Sequence, residues 1–237
     1  MQIMEAHRDE FIELMRTGDE DKCIEYIMKY DDFYGAISIY QENMLQIACG
    51  SQLATVAMAL IDRKCNLTHQ NRNGSTALMY ASCYGLNNVV AYIIDHSTDI
   101  ATRNSAHGTS EMMYLCARRD EENIIKMIEY GYDIYYKSDI KRSLFTEAIY
   151  YKLGEVVKKL MDIDTNFINE LNHYTEIKDM FYHDITKYCR DKYDAYKDTI
   201  IATMNDATST NALYQSFHTT YAVGLVDVIC DFILLQL

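Results

Sequence analysis

An all-α solenoid of stacked helix pairs, joined by hairpin-like turns and followed by a helical C-terminal cap, is the fold class that this 237-residue sequence predicts. Three observations predict it. A pattern of apolar and capping residues returns every 33 or 34 positions. Each return holds two short segments whose apolar residues fall at the i, i+3, i+4 spacing of a one-sided helix. Between returns stand polar, turn-forming stretches, of which Asn73-Gly74 is the plainest, since Gly accepts positive φ and Asn tolerates it. A short helix pair cannot bury its apolar faces alone, so each pair needs neighbours of its own kind.

In chain order, residues 5–16 place Phe11, Leu14 and Met15 on one face, Gly18 ends that helix, and 20–30 carry Ile24, Ile27 and Met28 on another. This pair, within 1–37, lacks the turn signal and suits an N-terminal capping unit whose charged outer face solubilises the end of a stack. Repeats are then expected at 38–70, 71–103, 105–137 and 138–168. In 71–103, Thr76 is placed to cap a helix carrying Leu78 and Ala81 and ending at Gly85, and a second helix follows with Val89, Val90, Ile93 and Ile94. Asn43, Leu45, Ala48, Val56, Ile61 and Leu67 precede their counterparts in 71–103 by 33 residues. Gly108, Ser110, Met112, Ile124, Met127, Ile128 and Ile134 follow theirs by 34. Ser143, Phe145, Ala148, Val156, Val157, Leu160 and Met161 complete the fourth return. Asn43, Thr76, Ser110 and Ser143 are all residue types that cap helix starts.

Beyond 168 the match is lost, and 169–237 reads as a helical region. Ile177, Met180, Phe181, Ile185 and Tyr188, then Tyr193, Tyr196, Ile200, Ile201 and Met204, keep helical spacing, as one long helix or two. After a polar break at 205–210, Leu213, Phe217, Tyr221, Leu225, Val228 and Phe232 form a stripe. His218, Asp227 and Asp231 interrupt it and argue against a membrane span. A buried or partner-binding helix is expected there, with homo-oligomer formation through it as one outcome.

A turn and two helices repeating near 33 residues resembles the ankyrin repeat, and 71–103 looks like a complete one. The family pattern T-P-L-H reads NMLQ at Asn43, TALM at Thr76, SEMM at Ser110 and SLFT at Ser143, so its Pro and His are missing throughout. Pro at a first helical position pre-sets φ, and its absence costs some stability. Leu115 stands where a small residue is expected. The resemblance implies a non-enzymatic scaffold that captures a protein partner on a concave, turn-lined surface, through the turn tips and the exposed side of each first helix. Carried across residue by residue, it picks out Arg72, Asn73 and Ser75, then Ala106, His107 and Thr109, then Asp139, Ile140 and Arg142 at the tips. On the helices it picks out Cys83, Tyr84, Arg118, Tyr150 and Tyr151. Arg and Tyr supply much of the binding energy at interfaces. With 21 Tyr in the chain, however, the surface as a whole is the stronger pointer.

A chain with no Pro, no Trp and abundant Tyr and Ile also resembles the ankyrin proteins of large DNA viruses, which implies a host-interaction factor in a host cytoplasm. Many of those end in an F-box-like segment that recruits a ubiquitin ligase. An adaptor using its C-terminal helices is therefore a second expectation, although the usual Leu-Pro start of that segment cannot occur here.

The net charge of −13, without any basic run, argues against nucleic acid or an anionic membrane as partner. An acidic surface either keeps the chain soluble or recognises a basic partner. Glu5, Asp9, Glu10 and Glu13 exclude a signal peptide over 1–16. The seven scattered Cys, with no C-x-x-C pair, fit reduced thiols in a cytoplasm. Cys49, Cys83 and Cys116 recur near one place on successive first helices, as core filler rather than metal ligands. No phosphate-binding loop, nucleophile elbow, zinc-protease or dinucleotide motif occurs, so no catalytic, cofactor or metal residue is assigned. A small enzymatic or ligand-binding C-terminal domain is the remaining alternative, for which a pocket lined by His173, His183 and Cys189 would speak. Cys189 beside Arg190 is its only candidate for a lowered thiol pKa.

Overall fold

The computed structural model of the chain describes residues 2–172, 179–208, 210–217 and 226–228. Two compact units divide it, Met1–Leu153 and Gly154–Leu237. The first holds α1 (Gln2–Arg16), α2 (Glu20–Lys29), α3 (Met44–Gly50), α4 (Ala54–Asp62), α5 (Ala77–Cys83), α6 (Asn87–His96), α7 (Glu111–Arg118), α8 (Glu121–Glu129) and α9 (Leu144–Tyr150). The odd-numbered helices pack in one row, α2, α4, α6 and α8 in a second, and each pair packs across the two. This is the all-α, two-layered solenoid that the period predicts.

What repeats most faithfully is the turn. Ser38, Asn71, Ser105 and Ser138 each donate their N–H to the carbonyl four residues on, at 2.8, 3.0, 3.0 and 2.9 Å. Just before that carbonyl, the chain enters the left-handed region at Gln41, Gly74, Gly108 and Lys141, with φ of 61, 70, 71 and 62°. The next residue, Asn43, Thr76, Ser110 or Ser143, then accepts the N–H three positions on, so all four cap their helices. Asn43 and Gln46 close a full capping box. The buried Gln46 amide goes on to donate to the carbonyls of His69 and Ser75, filling with an amide the place where T-P-L-H has its imidazole. A second left-handed residue, Gln52, Gly85, Arg119 or Lys152, ends each first helix and lets the following N–H return to the carbonyl of Ala48, Ala81, Leu115 or Ala148. Those four are all fully buried, and Leu115 is accommodated among three alanines.

Two departures refine the expected pattern. On α2 the buried face is Cys23, Tyr26 and Ile27, while Met28 is 68% exposed and its Sδ accepts from Arg63 Nη2 at 2.9 Å. The stripe is rotated by one position because Tyr26 turns inward, stacking on Phe11 and donating to Glu10 Oε2 at 2.9 Å. Ile100, in register with Leu67 and Ile134, is 43% exposed. Helices α4 and α8 end in left-handed Lys64 and Gly131, whereas α6 ends at Ser97 with φ −78°, so the chain leaves α6 by a different path. The extra residue of the 34-residue step is absorbed just after it.

The second unit contains α10 (Gly154–Ile163), α11 (Asn166–Asn172), α12 (Met180–Asn205) and α13 (Ala212–Phe217). The segment read as a fourth repeat thus has α9 in one unit and α10 in the other. Helix α12 is one continuous helix of 26 residues with Ile185 and Cys189 buried; Met180, placed on its apolar stripe by spacing, is 82% exposed at its first turn. Val228 is likewise 60% exposed and Val226 is the buried valine, while 218–225, through which the stripe runs, lies outside the described residues. Ile177, Tyr221, Leu225 and Phe232 lie outside them too. No helix among the described residues is long and apolar enough to cross a membrane.

Candidate partner-binding face

The row of first helices and the turns before them form one strip of the first unit. Its centre is a groove of about 370 Å³ between α5 and α7, lined by Ser75, Met79, Tyr80, Cys83, Tyr84, Tyr114 and Arg118. Ser75, Cys83, Tyr84 and Arg118, all singled out by sequence, meet here.

Tyr80, not singled out, is the fixed member of the groove. Asn71 Oδ1 accepts the N–H groups of Asn73 and Ser75, while its Nδ2 donates to the Tyr80 hydroxyl at 3.0 Å. That hydroxyl donates to Glu42 Oε1 at 2.5 Å, tying the first turn to α5. Burial, then the Glu42 carboxylate, push the Tyr80 phenol well above its ordinary pKa, so it stays a donor. Tyr84, one helical turn on, is 47% exposed. Arg118, on the far wall, donates from Nη2 to the Cys83 carbonyl at the end of α5. Its neighbour Arg119 reaches the other way, to the Tyr151 carbonyl at 2.9 Å, so two adjacent guanidinium groups clamp the C-terminal ends of the flanking first helices.

The remaining sequence-selected residues are spread along the strip. Arg72, Asn73, His107 and Asp139 are exposed at the tips, and Thr109 is half-buried. The Asn73 carbonyl accepts from the Ala106 N–H at 2.8 Å, linking two consecutive tips. Tyr150 is 75% exposed and meets Tyr151 edge-on at 4.9 Å. Arg142 instead forks onto Glu147, with Nε–Oε1 at 2.6 Å and Nη2–Oε2 at 2.7 Å, and that pairing raises its pKa. The first turn, omitted from the sequence selection, presents Ile39 and Tyr40 at 80% and 64% exposure. They share the register of Arg72 and Asn73, so the period alone could have found them.

Charge on the strip differs from that of the chain. Segments 38–52, 71–85, 105–119 and 138–152 hold six Lys and Arg against four Asp and Glu, a net of +2 in a chain of −13. Two of the four carboxylates are buried. Glu147 is held by Arg142. Glu111 sits where the family pattern has Pro, accepts the Thr76 hydroxyl at 2.7 Å and faces Arg103 at 3.9 Å. Burial pushes the Glu111 carboxyl up more strongly than Thr76 and Arg103 pull it down.

The second unit offers no comparable site among the described residues. His183 is exposed and Cys189 is buried with its thiol on Met161 Sδ at 3.7 Å, so they do not share a pocket, and His173 lies outside the described residues. Burial pushes the Cys189 thiol up to about 11, more strongly than the Lys192 ammonium pulls it down, the opposite of the lowering expected from Arg190. The cavity beside Cys189 is about 30 Å³, the volume of one water. No group of three or more His, Cys, Asp or Glu among the described residues is placed to hold a metal ion. Cys49 and Cys116 are buried, but Cys83 is half-exposed, and the residue in register with Cys49 and Cys116 is Ser82.

A search of curated proteins gave no match. The family model described as ankyrin repeats in three copies matches residues 14–104, from the last turn of α1 through α2 to α6 and the turn after it. Turn, cap and helix pair recur in the same register through α7 and α8, beyond the matched segment, and the segment 14–104 is thus similar to ankyrin repeats.

Proposed function

We propose that this chain is a non-enzymatic scaffold that captures a protein partner along its first helices and turns. Ankyrin repeats generally mediate protein–protein interaction, and the family is typically non-enzymatic. The observation that carries the reading is the groove between α5 and α7, where exposed Tyr84 and Arg118 flank an anchored Tyr80. Large rigid side chains of this kind give contact area at low entropic cost. Arg72, Asn73, Ser75, His107, Thr109, Asp139, Tyr150 and Tyr151 belong to the same surface in this reading. The cellular setting is a reducing cytoplasm, supported by six unpaired cysteines among the described residues. The host-interaction role in a large DNA virus is supported by composition alone, with no Pro or Trp among 237 residues.

The test is capture from host-cell extract by the intact chain and by an Arg72→Ala, Tyr84→Ala, Tyr150→Ala variant with an unchanged circular dichroism spectrum. Arg142 is left alone because its loss would strand the buried Glu147 carboxylate. A partner held by the intact chain and released by the variant is the expected result; equal capture would move the site off this surface. An adaptor role has one observation of its own, a separate second unit with Met180 and Tyr196 exposed at 82% and 44%. Equal capture would favour it.

A further inference from the structure

The chain as a whole repels anions, yet its repeat face does not share that charge. Outside the strip of turns and first helices the chain carries a net of −15; on the strip, Arg72, Arg118, Arg119 and Lys141 are all exposed. The acidic side chains that could cancel them are mostly turned away. Glu111 and Glu147 are each only 6% exposed, and the half-buried Glu42 accepts the Tyr80 hydroxyl. Asp139 is the one exposed carboxylate there.

We propose that the segment captured by this face is an acidic, extended peptide, with its carboxylates on Arg72, Arg118, Arg119 and Lys141 and one apolar or aromatic side chain in the α5–α7 groove. This rests on the protein-capture reading and names the class of partner. The cations are distributed along the row, from the second turn through the end of α7 to the fourth turn, so a peptide lying along the row meets them in succession. Arginine forks match carboxylates two bonds at a time. Met79, Tyr80, Tyr84 and Tyr114 supply the apolar groove between them. A polyphosphate chain is the poorer fit. It needs clustered cations and gains its affinity over a long range, where the remaining −15 acts against it.

The experiment is selection of a random dodecapeptide library on the full chain, followed by fluorescence anisotropy of enriched peptides, with a single-stranded oligonucleotide of similar length alongside. Enriched peptides are expected to be net acidic with a recurring apolar position. Arg72→Gln or Arg118→Gln is expected to weaken them about two- to five-fold each, and both with Lys141→Gln about ten-fold or more. Lys64→Gln, on the second-helix side, is expected to leave binding unchanged, and added salt to weaken it. Neutral or basic peptides that are lost on Tyr84→Ala would overturn the acidic-partner inference while leaving the capture reading standing. Tighter binding of the oligonucleotide would also overturn it. No enrichment, or enriched peptides indifferent to both the Tyr84 and the arginine variants, would overturn both.

Discussion

Gly74 and Gly85 are a matched pair for testing what the inter-repeat turns contribute. Their φ values are 70 and 72°, so alanine at either faces the same left-handed penalty, offset in part by the reduced freedom of the unfolded chain, for a net loss of about 1 kcal/mol. Their surroundings differ. A Cβ on Gly85 meets nothing within 4 Å; a Cβ on Gly74 would sit 2.8 Å from the Asn104 carbonyl oxygen and 3.2 Å from the Ala106 nitrogen. Neither neighbour yields easily, because Ala106 N–H is bonded to the Asn73 carbonyl at 2.8 Å and the Asn104 carbonyl accepts from Gln70 Nε2 at 3.0 Å. Overpacking adds about 1–3 kcal/mol, so Gly74→Ala should cost about 2–4 kcal/mol in all. Urea unfolding of the full chain, followed by far-ultraviolet circular dichroism, reads the difference as a larger drop in midpoint for Gly74→Ala. Hydrogen exchange should show the Ala106 amide losing protection in that variant alone. Equal midpoint losses in the two variants would refute the claim that backbone-to-backbone approach at the tips, beyond turn conformation, holds successive repeats in place.

Glu111 and Cys83 give two further predictions. With its folded pKa raised by burial above the ordinary value of 4.5, Glu111 binds its proton more tightly in the folded chain, so stability is full below that value and falls as pH rises through the folded pKa. The slope is at most about 1.4 kcal/mol per pH unit, and Glu111→Gln, whose amide oxygen still accepts from Thr76, should remove it. Thermal melts from acid to neutral pH should find the variant at least as stable at neutrality; a less stable variant there would mean that the Arg103 pairing outweighs the cost of burial. For the thiols, burial pushes Cys49 up to about 12 and Cys23 and Cys65 up to about 11, while Cys83 is half-exposed in the groove. A maleimide at mildly alkaline pH should therefore modify Cys83 first among the six described cysteines, as read by mass spectrometry, and block peptide binding. Comparable labelling of Cys49 or Cys65 in the folded chain would contradict the packing of α3 and α4.

Much of the architecture was legible because it rests on local chemistry. Asn43, Thr76, Ser110 and Ser143 announce four helix starts from residue type and spacing, and Gly74 and Gly108 announce the turns. Gln41, Gln52, Arg119, Lys141 and Lys152 adopt the same left-handed conformation with no glycine to signal it, and only register reveals it. The face of α2 was misjudged by one position because Tyr26 counts as amphipathic in a sequence but turns inward when Glu10 and the His7 carbonyl wait for its hydroxyl. Tyr80 escaped notice for the same reason. Its place depends on Glu42 and Asn71, 38 and 9 residues away. Arg142 reads in sequence as an exposed contact, since nothing local shows that the buried Glu147 carboxylate claims one edge of its guanidinium with two bonds.

Net charge averages over surfaces that differ, and the cause is geometric. A solenoid sorts its residues by register, so each surface draws on a few positions per repeat rather than on the average composition. Off the strip, acidic residues fall on the N-terminal pair, the second helices and the second unit, and on the second helices Asp62 receives Tyr92 and Asp95 receives Lys126 and Tyr130 across adjacent repeats. Those carboxylates cross-brace the back layer. Carboxylates that fall on the first-helix strip are mostly drawn into internal contacts, Glu42 with Tyr80 and Glu111 with Thr76 between repeats and Glu147 with Arg142 within one. Arg118 and Arg119, by contrast, spend N–H groups on neutral carbonyls, which leaves their charge uncancelled. The packing that holds the repeats together is thus what leaves the front of an acidic protein positive.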